Sequence, residues 1–86
     1  MSLKQQFKNS KVLIHPGETL QEYLDKFNIS QIKLAEITSF THEHISRVIE
    51  GKEVISKEFA LKLEHALGVP AYFWINLQRN YDFESQ

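Results

Sequence analysis

The sequence has no cysteine, which removes disulfide frameworks, thiolate metal sites and cysteine nucleophiles together. A thiol-free chain fits a reducing compartment, and the cytoplasm is the expected location. Glycine is scarce as well: Gly17, Gly51 and Gly68 are too scattered to cradle a nucleotide phosphate. No apolar run approaches the roughly 18 residues that cross a bilayer. The first residues lack the apolar and small-residue succession of an export signal, so no membrane contact is expected and Asn28-Ile29-Ser30 should stay unglycosylated. Charge of one sign is missing too, because ten basic residues face eleven acidic ones for a formal net charge of -1. A nucleic-acid binder usually has a basic balance, and composition alone announces none here.

What is present is one domain's worth of foldable sequence. The chain has 86 residues, 42% hydrophobic and 12% aromatic, enough for one modest core and too few for two. Residues 1–14 form an arm whose only charges are Lys4, Lys8 and Lys11, residues 15–82 the domain, and residues 83–86 a tail. After His15-Pro16-Gly17-Glu18, the spacing of Leu20, Tyr23, Leu24 and Phe27 predicts a helix over 17–27. Ser30 should cap a second over 30–37, with Ile32, Leu34, Ala35 and Ile37 inward, and Thr41 a third over 41–50, with Ile45, Val48 and Ile49 inward. Gly51 closes the third helix as a residue free to turn left-handed. Ser56 and Glu58 open a fourth over 56–67, with Phe59, Leu63, Ala66 and Leu67 inside, and Gly68 ends it. Pro70 suits the first turn of a fifth over 70–81, which carries Phe73, Trp74, Leu77 and Tyr81 at helical spacing. The expected class is all-α.

Residues 30–51 are the most specific stretch. Two short helices around Thr38-Ser39-Phe40 make the helix-turn-helix geometry that lets the second helix enter a major groove. Ala35 is small where the helices should cross, and Phe40 should plug into the core. Outward on the third helix stand Thr41, His42, Glu43, His44, Ser46, Arg47 and Glu50. Arginine can read guanine, glutamate the cytosine amine, and serine or threonine either, while histidine donates or accepts. Gln31 is placed to hydrogen-bond a phosphate at the start of the second helix. The expected DNA-contacting set is therefore Gln31, Thr41, His42, Glu43, His44, Ser46 and Arg47.

The residues Leu34-Ala35-Glu36, Thr38, Ile45-Ser46-Arg47-Val48-Ile49 and Gly51-Lys52 resemble the Xre family of lambda-repressor-like helix-turn-helix regulators. His15-Pro16-Gly17-Glu18 at the entry and Ala71 to Gln78 with Tyr81-Asp82 at the exit are more closely similar to HigA-type antitoxins, also described as VapI-like addiction-module antidotes. The similarity runs over about residues 13–82. It implies a five-helix lambda-repressor-like fold and a homodimer on palindromic double-stranded operator DNA. It also implies repression of the chain's own operon and neutralisation of a RelE-like ribonuclease toxin. Four positions depart from the family's pattern. His42 and His44 flank Glu43 where members commonly carry basic residues, Ser39 replaces the usual glycine, and Glu53 follows Lys52 where a second basic residue is common. Because imidazole ordinarily titrates near pH 6.5, His42 and His44 should raise DNA affinity as pH falls from about 7.5 to 6.

Catalysis has little support, and no enzyme activity, cofactor or metal is expected. His42-Glu43-His44 lacks the i, i+4 pairing of a zinc helix, since position 46 is serine. His15 and His65 stand alone. A competing reading is a protein-interaction module on a helix-turn-helix scaffold, with Tyr72, Phe73, Trp74 and Tyr81 as the surface for a dimer or protein partner, because aromatics dominate interface energies. A plain Xre regulator without a toxin is the other alternative.

Overall fold

A computed structural model describes residues 14–85, so the basic arm lies outside the described residues apart from Ile14. Five helices follow in order: α1 Pro16–Phe27, α2 Gln31–Thr38, α3 His42–Ile49, α4 Lys57–Leu67 and α5 Ala71–Glu84. This is the all-α, lambda-repressor-like architecture. The last helix continues through Glu84, past the expected end at residue 81.

Local chemistry explains most boundaries. Ser30, Thr41 and Ser56 accept from the backbone N–H three residues on, at 3.0, 3.0 and 3.1 Å, which satisfies one orphan donor at the start of α2, α3 and α4. At α1 that role falls to His15, whose Nδ1 accepts from the Gly17 amide at 3.1 Å while Nε2 lies 3.7 Å from Glu18. Pro16 occupies the first turn, where no N–H is needed. Pro70 offers no side-chain cap, and the Ala71 amide donates instead to Glu64 Oε1 on α4 at 3.2 Å. Asn28, Ser39 and Gly68 end their helices in the left-handed region.

The core is built from Leu20, Leu24, Leu34, Ile45, Val48, Ile55, Phe59, Ala60, Leu63, Ala71 and Trp74. Trp74 is wholly buried, with ring centroids 5.6 Å from Tyr23 and 5.1 Å from Phe73 in edge-to-face pairs. Several expected inward residues lie elsewhere. Phe27, Ile32 and Ile37 are exposed, and Ala66 and Leu67 are half-buried while Ala60 takes the inner position on α4. On the two-turn α2, Leu34 and Thr38 share the inner face, and Ile32 stands about 200° from Leu34 around the axis. Thr38 is therefore a buried member of α2: its hydroxyl donates to Leu34 O at 2.8 Å and accepts from the Phe40 amide at 3.3 Å.

Two contacts seat α3 from behind. A methyl group on Gly17 would come 1.9 Å from Val48 O and 2.7 Å from Ile49 Cα, so α1 meets the end of α3 where only glycine fits. The segment leaving α3 is held by buried Gln78 of α5, whose Oε1 accepts from the Ile55 amide at 2.8 Å while Nε2 donates to Asp82 at 2.8 Å.

Candidate nucleic-acid interface

Helices α2 and α3 pack against each other and α3 against α1, leaving the outer side of α3 free. Ile45 and Val48 point inward and are buried. Thr41, His42, Glu43 and Arg47 are exposed, and Ser46 is half-buried at the seam with α2. Gln31 meets them at that seam: its Oε1 accepts from Ser46 Oγ at 2.8 Å and lies 3.2 Å from His42 Nε2. The structure thus brings Gln31, Thr41, His42, Glu43, Ser46 and Arg47 onto one surface around the start of α3.

His44 does not belong to that surface. Its ring lies tilted 4.9 Å from Phe40 and edge-to-face 5.3 Å from Phe59, with Nε2 buried and unbonded. At position 44 the side chain leans toward the inner face shared with Ile45 and Val48, and the aromatic turn residue Phe40 gives it an apolar wall. This geometry does not support the expectation that His44 reads DNA.

The electrostatics are close to balanced. Arg47 donates to Lys52 O at 3.2 Å and lies 3.5 Å from Glu53, while Lys52 lies 3.6 Å from Glu50. These pairs are all more than a third exposed, so each is worth little and is open to exchange for a phosphate. Glu43 remains in the first turn of α3, where the helix dipole favours it.

The aromatic set at the exit separates into different environments. Trp74, expected as an interface candidate, is a core residue with no exposed surface. Phe73 is half-buried against Tyr23 at 6.0 Å, and Tyr81 is half-buried 6.3 Å from His15. Tyr72 is 68% exposed, and so is Phe83 at 72%. Sequence reasoning left out two working residues: His15 as a helix cap and Gln78 as a clamp. The signals were present, since His15 directly precedes Pro16 and Gln78 follows Trp74 by one helical turn.

Capped short helices joined by a tight turn, with the second presenting polar side chains, define a helix-turn-helix protein. A family model described as helix-turn-helix matches residues 20–74, and the chain belongs to that family. Within it the similarity points to HigA antitoxins. The chain is similar to antitoxin HigA of Pseudomonas aeruginosa, solved with the higBA promoter, at TM-score 0.82 and 32% identity over 86% of this chain and 82% of that one. An addiction module antidote protein of the HigA family from Coxiella burnetii gives TM-score 0.80 and 33% identity, covering 84% and 79%. The uncharacterized HTH-type transcriptional regulator YddM of Escherichia coli K12 is 35% identical over 63 residues, 73% of this chain and 67% of the relative.

Proposed function

We propose that this chain is the DNA-binding antitoxin of a HigBA-type module, a homodimer that represses its own operon and neutralises a RelE-like toxin. The observation that carries the DNA half is the seam where Gln31 meets His42 and Ser46 at the exposed start of α3. In helix-turn-helix docking, the start of the first helix of the pair anchors on phosphate and the N-terminal residues of the second reach base edges. Two copies related by a two-fold axis would match a palindrome with half-sites about one helical turn apart. The reading assigns no catalytic step to any residue, and a cytoplasmic location follows from access to DNA.

The partner half draws on α5. Tyr72 and Phe83 leave large apolar surface in water, and Phe83 and Ile75 share a hollow beside α5 with the charged Lys57, Arg79 and Asp82, a mixed apolar and charged stripe. Such a stripe suits a second protein surface, whether the other copy or a toxin. The same observation favours the second reading, an interaction module whose helix-turn-helix serves as scaffold.

Binding of the purified protein to its own upstream DNA and to scrambled DNA, at two salt concentrations, separates the two readings. Repression predicts tighter binding to the upstream DNA, with affinity falling as salt rises. Equal binding to both sequences would leave the scaffold reading. Co-expression with the neighbouring small open reading frame then tests toxin neutralisation through growth.

A further inference from the structure

Five hydrogen-bonding side chains run from the outer face of α1 to α3, where the chain forks. Asp25 is the one member with a fixed sense: an ionised carboxylate only accepts. Gln21 Nε2 donates to Asp25 Oδ1 at 2.8 Å, so the amide of Gln21 must turn its oxygen the other way, toward Gln31. That oxygen faces Gln31 Nε2 at 3.5 Å, the longest link in the chain. Gln31 in turn directs Oε1 at α3, where it takes the Ser46 hydroxyl at 2.8 Å and His42 Nε2 at 3.2 Å. Amide oxygens do not donate, so His42 Nε2 carries the proton and Nδ1 is left bare. Reversing either amide would set oxygen against oxygen at one link, so the sense of the whole chain follows from Asp25.

We propose that this relay makes His42 and Ser46 hydrogen-bond acceptors toward DNA, so that on the strand it faces the reading surface selects adenine or cytosine, which donate through N6 or N4, over guanine or thymine, which only accept. The inference rests on the DNA-reading proposal above. Ser46 has given its only proton to Gln31 and keeps lone pairs. His42, exposed at the first position of α3, keeps an unprotonated Nδ1. Beside them Glu43 is an acceptor by charge, and the guanidinium of Arg47, held by Lys52 O and Glu53, is the group that exchanges those partners for a phosphate and not for a base. Guanine offers two acceptors in the major groove and would meet lone pairs with lone pairs, whereas the amino groups of adenine and cytosine would be matched. Asp25, Gln21 and Gln31 act as positioning residues, setting which atom of His42 faces the groove.

Two measurements decide it. The first needs no DNA: side-chain nitrogen shifts of His42 above the imidazole titration range. The expected result is Nδ1 at the value of a pure acceptor in the wild type, moving toward the average of two tautomers in Gln31→Ala and in Asp25→Asn, whose amide can face either way. Asp25→Asn lies on the exposed side of α1 and leaves the core untouched, so it stands even if Gln31→Ala folds poorly. A wild-type His42 already averaged, or one unmoved in both variants, would overturn the relay. The second measurement removes one amino group at a time from the operator, with purine for adenine or pyrimidin-2-one for cytosine. At one base pair per half-site the wild type should lose about three- to ten-fold in affinity, as for one hydrogen bond, while His42→Ala loses nothing further there. If no amino deletion depends on His42, or if the dependent base is guanine, the selectivity is refuted. Absence of any sequence-specific binding would sink the underlying DNA reading, while the nitrogen shifts still judge the relay by themselves.

Discussion

Single backbone positions carry much of the specification of this fold. Ser39 sits at φ 64° in the turn between α2 and α3, a conformation that costs a side chain roughly 1–2 kcal/mol relative to glycine. After the extra flexibility glycine brings to the unfolded chain, Ser39→Gly should stabilise by about 0.5–1 kcal/mol. In a chain of this size thermal unfolding would move up by a few degrees, and an unchanged or lower midpoint would argue against strain at the turn. Gly17 has the opposite character, because no side chain fits between α1 and the Val48 carbonyl. Gly17→Ala should destabilise by about 3 kcal/mol or more in urea unfolding, and a cost under 1 kcal/mol would contradict the close approach. His44, wedged between Phe40 and Phe59, behaves as an aromatic filler, and His44→Phe should preserve the fold as judged by circular dichroism and the unfolding midpoint.

Among the elements, α3 is the one whose position matters for reading DNA, and it is anchored from two sides. The Gln78 amide answers the buried Ile55 N–H just after the exit from α3. Gln78→Ala leaves that donor unpaired, at a cost of about 1–3 kcal/mol. Amide exchange at Ile55 should quicken more than exchange in α1, and uniform acceleration would mean the clamp is not local. The helices themselves were legible in the sequence, because Ser30, Thr41 and Ser56 are strong caps and Leu20 with Leu24 or Phe59 with Leu63 recur one turn apart. The two short helices were harder. Over eight residues the apolar spacing of α2 fits more than one face, and only packing shows that Thr38 is inside and Ile32 outside. His44 misled for the same reason: a polar letter on α3 reads as outward until Phe40 and Phe59 are seen to enclose it. The sequence reading makes Gln31 a phosphate contact at the start of α2, and its bonds to Gln21, His42 and Ser46 span distances in sequence that no local pattern records.

At the scale of the whole molecule, net charge is nearly zero and the interface pairs its cations with carboxylates. Long-range attraction to DNA is then weak, and local contacts must supply discrimination.

The single tryptophan of the chain lies at the centre of the fold, sealed between Tyr23 and Phe73. The protein thus carries one indole, which can be excited apart from its three tyrosines, and its emission reports a dry aromatic environment formed by α1 and α5. Loss of the core would shift that emission to the red, while occupancy of the remote outer side of α3 would leave it where it was. One cuvette can therefore distinguish a variant that has lost its grip on DNA from one that has lost its shape.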